Sequence, residues 1–78
     1  MIPLYGFVEG DTLGLLVLAN ESDTVREVGE RLRASAAVRV VHGPGGHVVF
    51  RGRRLDPGLS VKQAGFTPLD RIDLVREG

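Results

Sequence analysis

Between Val48 and Val75 the chain-breaking residues stand so close together that only short elements fit between them. Val48 and Phe50 share one side of an extended segment because strand side chains alternate, which turns Val49 to the other side. Gly52 ends that strand and permits a turn. Leu55 opens a short return strand, and Asp56-Pro57-Gly58 stops it. Ser60 can cap a single helical turn through Ala64, and Gly65 suits the left-handed residue that follows. Ile72 and Leu74 then face one way in a last strand, and Asp73 and Val75 the other. The order is strand, tight turn, short strand, helical turn, final strand.

The N-terminal half supplies a hairpin and a helix. Ile2 to Val8 has strand composition, with Pro3 suited to a strand start or edge because it cannot donate to a ladder. Glu9-Gly10-Asp11 is a hairpin turn, and Thr12 to Ala19 returns. Leu13, Leu15, Val17 and Ala19 fall on one side of that strand, and Thr12, Gly14, Leu16 and Leu18 on the other. A strand with one wet face alternates apolar and polar residues, but this one is apolar on both sides from Leu15 onward. Leu16 and Leu18, or their opposite set, are therefore surplus apolar surface, either covered within the domain or offered to a partner, unless a bulged strand end tucks one of them inward.

Thr24 with Glu27 three residues later is a capping box. Val25, Val28 and Leu32 form the apolar stripe of a helix ending near Ser35 to Ala37. Glu27 and Arg31 have the spacing of a favourable ion pair. Gly29 costs about 1 kcal/mol relative to Ala inside a helix, unless it serves close approach of a strand. Val38 to Val41 is extended by composition, and His42-Gly43-Pro44-Gly45-Gly46-His47 is a loop.

The Phe50-x-Gly52-x-x-Leu55-Asp56 run, the Val61 to Gly65 turn, the closing Ile72-x-Leu74-Val75 and the Ser22-Asp23-Thr24-Val25 helix opening resemble ubiquitin. The resemblance implies one α+β domain over residues 1–78, a ubiquitin-like β-grasp with a mixed four- to five-stranded sheet on one helix. It further implies that Val49 and Val75, matching ubiquitin's outward docking residues, lie side by side. Isolated exposed valines are the ordinary alternative. Unlike ubiquitin, this chain ends Val75-Arg76-Glu77-Gly78, without the flexible two-glycine tail that conjugation uses.

At family level the chain is similar to toluene-4-monooxygenase system protein B. The similarity is carried by Ile2-Pro3-Leu4, the Phe7 to Asp11 hairpin, the apolar Leu13 to Leu18 strand and the helix from Thr24. It continues through the Arg39-Val40 to Gly46 loop, Leu55-Asp56-Pro57, Ala64-Gly65-Phe66 and Arg71-Ile72-Asp73. It implies a small, non-catalytic accessory subunit of a bacterial multicomponent diiron monooxygenase, docked on the larger hydroxylase subunits. The alternatives are a stand-alone ubiquitin-like adaptor, as in type VII secretion, and a modifier attached through Gly78.

Charge and composition narrow the chemistry. Ten basic and ten acidic residues cancel, which argues against a general nucleic-acid binder. The absence of cysteine excludes disulfides and thiolate metal sites. His42 and His47 flank the glycine-rich loop, but no third ligand lies near in sequence. The carboxylates are scattered, and Ser22 and Ser60 are accounted for as turn and cap residues, so no catalytic site, metal or cofactor is expected. The longest apolar run, Leu15 to Ala19, is too short to span a bilayer. Met1-Ile2-Pro3 lacks the basic start of a signal peptide, so a cytoplasmic protein is expected. Arg51, Arg53, Arg54, Arg71 and Arg76 gather around the last strands as solvated surface or as a rim for an acidic partner. The expected partner-binding set is Val49, Val75, Leu16, Leu18, Arg51 and Arg71.

Overall fold

Alternating burial builds the sheet. In the computed structural model, which describes residues 1–36 and 46–76, Leu4, Gly6 and Val8 of β1 (Ile2–Val8) are buried while Tyr5 is exposed. Val17 and Ala19 of β2 (Leu15–Ala19) are buried while Leu16 and Leu18 are exposed. β3 (His47–Phe50) and β5 (Arg71–Val75) repeat the pattern, burying Val48, Phe50, Ile72 and Leu74. With the short β4 (Arg53–Arg54), they form a five-stranded sheet in the order β2-β1-β5-β3-β4. β1 and β5 run parallel, and the other neighbours antiparallel.

α1 (Val25–Ala36) covers the inner side through Val25, Val28, Leu32 and Ala36. α2 (Val61–Ala64) adds Val61 to the same core. This is the expected mixed β-grasp. Two glycines set how closely the helix lies on the sheet. A Cβ built on Gly6 would stand 2.7 Å from Leu32 Cδ1, and one on Gly29 would stand 3.2 Å from Val48 Cγ2. Gly29 thus serves the close approach that a helix-interior glycine can provide.

Local chemistry sets the helix starts. The Thr24 N–H donates to Glu27 Oε1 at 3.0 Å, and the Glu27 N–H donates to Thr24 Oγ1 at 3.1 Å. Thr24→Ala is expected to cost about 1 kcal/mol in denaturant melts; an unchanged midpoint would show that this cap is dispensable. Ser60 and Gln63 form a second capping box, and Gly65 closes α2 at φ 76°. The two starts are stitched together. The Val25 N–H donates to the Leu59 carbonyl, and the Val61 N–H to the Asp23 carbonyl, both at 2.8 Å.

Asp23 anchors the β2–α1 connection. Its carboxylate accepts the Asn20 N–H at 2.8 Å and Arg31 NH1 at 3.1 Å. The backbone donor first, and Arg31 second, hold its pKa below the ordinary 3.8. A depressed folded-state value contributes stability that is present above the unfolded pKa and lost as pH falls through the folded one. Asp23→Asn is therefore expected to flatten the fall in stability below pH 3.8, measured by denaturant melts at stepped pH. An identical acid limb in both proteins would contradict this.

Several local expectations are corrected. β2 begins at Leu15, not Thr12. Gly14 lies against the β1 rings, where a Cβ would stand 2.5 Å from Tyr5 Cε1. The Leu13 N–H bonds to Asp11 Oδ1 at 3.1 Å, and Leu13 is exposed, unlike Val17 and Ala19 with which the alternation grouped it. Arg31 does not turn to Glu27. Its NH1 binds the Leu18 carbonyl at 2.8 Å and Asp23, while the Glu27 carboxylate closes the cap. His47 is not loop but the first residue of β3, opposite Val75. Pro3, by contrast, stands as expected near the start of its strand, before the β5 ladder begins at Tyr5. Val38 to Val41, His42 and Gly78 lie outside the described residues.

Among the described residues two non-glycine residues have positive φ, Arg51 at 54° and Leu69 at 65°. Arg51 with Gly52 at 75° makes the twisted two-residue turn that joins β3 to β4. Leu69 is exposed, so its side chain offers little packing in return for the strain. Leu69→Asn is expected to stabilise the fold by up to about 1 kcal/mol. A lower thermal midpoint would instead show that the leucine makes needed contacts.

Candidate protein-docking face

Among the described residues the sheet has helices on one side only, so alternation exposes the other. Strand register puts its residues in rows. Leu16 of β2 stands opposite Tyr5 of β1, and Tyr5 opposite Arg71 of β5. Leu18 stands opposite Pro3. In the next row Phe7 faces Asp73, Asp73 faces Val49, and Val49 faces Arg54. Leu16 is 63% exposed, Leu18 47% and Tyr5 47%. Surplus leucine on the outer face of β2 is thus present as expected, and no bulge tucks either residue inward.

Val49 and Val75 do not lie directly side by side. Val49 is opposite Asp73 and Val75 opposite His47, so the two valines are diagonal neighbours. Both are half-buried and share a hollow of about 410 Å³ with Phe7, Arg71 and Asp73. Arg71 is the hub of this face. Its guanidinium carbon lies 4.1 Å from the centre of the Phe7 ring, and NH2 lies 3.1 Å from Asp73 Oδ1. The cation stacks on an aromatic face and is held by a neighbouring carboxylate. The Tyr5 and Phe7 rings, 5.1 Å apart, then connect the β2 leucines to the Val49–Val75 hollow.

The structure therefore unites Leu16, Leu18, Val49, Val75 and Arg71 on one face, but does not bring Arg51 to it. Arg51 sits at the β3–β4 turn with its guanidinium 5.0 Å from the Phe50 ring, a core residue. Nor do the arginines make a single patch, since Arg53 and Arg54 sit on β4 at the sheet edge and Arg71 on β5 within the sheet. Tyr5 and Phe7 were missed in the sequence, although the alternation of Leu4, Gly6 and Val8 carries the signal that turns them outward.

The face is an apolar band with the Arg71–Asp73 ion pair inside it and charge at its borders, a composition that protein interfaces share. Among the described residues no group of His, Asp and Glu side chains could hold a metal ion, and no helix is long and apolar enough to cross a membrane.

The family described as toluene-4-monooxygenase system protein B (TmoB) matches residues 1–75. No curated protein matches by sequence. Among solved structures, a chain of the toluene 4-monooxygenase HD complex with the inhibitor 4-bromobenzoate superposes with a TM-score of 0.85 at 24% identity, over 97% of this chain and 98% of that one. AtBAG1, solved in complex with HSP70, gives 0.80 at 10% identity over 99% of this chain and 41% of that one. Ubiquitin of Caldiarchaeum subterraneum gives 0.79 at 16% identity, over 99% and 95%.

Proposed function

This chain belongs to the toluene-4-monooxygenase system protein B family, and from that premise we propose that it is a small accessory subunit of a bacterial multicomponent diiron monooxygenase, itself without catalytic chemistry. Its role is to dock on the larger hydroxylase subunits through the outer face of the sheet. The observation that carries this is the continuous run of exposed or half-exposed Leu16, Leu18, Tyr5, Phe7, Val49 and Val75 on the side that no helix of the described residues covers. Apolar surface of this extent on a small domain is a recognised mark of an interface. A similar chain is found in a toluene 4-monooxygenase complex, which supports the same partner. The reading implies a cytoplasmic protein that needs no cofactor of its own, and no nucleic-acid or membrane partner.

The test is co-expression with the large diiron hydroxylase subunit of the same organism, followed by size-exclusion chromatography. Co-elution of the two chains, and loss of hydroxylation when this chain is left out, is the expected result. Elution as a free small protein, with hydroxylation unaffected by its omission, would overturn the proposal.

A further inference from the structure

The two edges of the sheet differ. β4 is two exposed arginines long, a short charged edge of the kind that discourages pairing. β2 is five apolar residues, Leu15–Ala19. Which of its backbone groups are open follows from β1. The Tyr5 N–H donates to the Asp70 carbonyl at 2.9 Å, and the Pro3 carbonyl accepts the Leu69 N–H at 2.6 Å. Residues 3 and 5 thus turn their backbone groups toward the β5 side. Leu4 and Gly6 turn theirs toward β2, where they meet Val17 and Leu15. Bonded and non-bonded pairs alternate along an antiparallel ladder. Leu16 and Leu18, opposite Tyr5 and Pro3, therefore point their N–H and C=O groups away from the sheet. Among the described residues the Leu18 carbonyl is taken by Arg31 NH1 at 2.8 Å, whereas the Leu16 carbonyl and the N–H groups of Leu16 and Leu18 find no partner.

We infer that this β2 edge accepts an extended segment of the larger hydroxylase subunit as an additional strand, an inference that rests on the docking function proposed above. A second copy of this chain is a poor occupant. Joining two five-residue strands edge to edge would extend the sheet and leave the outer faces of both copies uncovered. A large partner can instead cover the outer face and the edge together, because Leu16 and Leu18 offer side chains to the one and backbone to the other. The incoming segment must displace Arg31 to reach the Leu18 carbonyl. A carboxylate carried by that segment opposite Leu18 would take up the released guanidinium. The occupant is thus an extended apolar segment bearing an Asp or Glu, bound by strand addition.

Amide hydrogen exchange on the wild-type chain, free and bound to the purified large hydroxylase subunit, tests this. In the free chain the Leu16 and Leu18 amides should exchange fast, and in the complex each should slow by about tenfold or more. Leu16→Pro removes an edge N–H without touching the β1 ladder. It should weaken binding at least tenfold more than Leu16→Thr, which keeps the N–H. A complex in which both amides exchange as they do in the free chain would overturn strand addition and leave docking intact. Failure of the wild-type chain to bind at all would overturn both. Should circular dichroism show Leu16→Pro unfolded, the wild-type exchange comparison alone decides.

Discussion

Leu32→Ala is expected to destabilise this protein by about 2–5 kcal/mol, the range for emptying a fully buried leucine site. Leu32 is completely buried on α1 and lies over the β1 backbone at Gly6, where even a Cβ would stand 2.7 and 2.8 Å from its two methyl carbons. In a domain of this size each kcal/mol lowers the thermal midpoint by roughly 4–8 °C, so the variant should melt at least ~8 °C below the parent. The same contact makes Gly6→Ala costly in the wild-type background, by about 1–3 kcal/mol for overpacking. In the Leu32→Ala background the added methyl enters vacated space, so the cost of Gly6→Ala should fall below ~1 kcal/mol. A double-mutant cycle from urea melts reads this coupling. Additive costs would mean that the helix shifts to accommodate either change, and that this contact does not set its height above the sheet.

Leu16→Asp is expected to weaken binding to the large hydroxylase subunit by about 10–100-fold, a loss of ~1.4–2.8 kcal/mol. Its thermal midpoint should stay close to the parent's, because substitutions at exposed sites change stability by about 0.5 kcal/mol or less. Leu16 is 63% exposed and stands opposite Tyr5, so the new carboxylate would be solvated in the free chain and desolvated against an apolar partner. Lys62→Asp on α2, exposed and at the helix side of the molecule, is the matched control and should bind as wild type does. Titration calorimetry with both variants checks the pair. Equal affinities for Leu16→Asp and wild type would remove Leu16 from the interface. A large drop in midpoint would show instead that the leucine supports the fold.

Most of the architecture was legible because local rules and tertiary packing agree. The capping residues Thr24 and Ser60, the left-handed Gly65 and the alternation of Val48, Phe50, Ile72 and Leu74 act within a few residues, and each kept its predicted role. The misplacements lie where a distant group intervenes. Thr12 to Gly14 leaves the ladder as Gly14 lies against the rings of Tyr5 and Phe7. Arg31 leaves the spacing-matched Glu27 for a backbone carbonyl and a carboxylate that the fold brings to it. Arg51 has the composition of an interface rim but stacks on Phe50 beside the core.

The docking face divides in the same way. Which of the two β2 sets lies outside is decided by the sheet, but that the strand carries more apolar side chains than one helix can cover is a matter of counting, which the sequence alone allows. It also sets the sides to which Val49 and Val75 turn, because strand periodicity is two. What it leaves open is which strands become neighbours and in what register, since pairing joins residues far apart in the chain. Only the folded sheet puts β1 between β2 and β5. That placement makes Tyr5 and Phe7 the bridge between two separate apolar clusters, sets Val49 diagonal to Val75, and leaves the backbone of Leu16 facing open solvent.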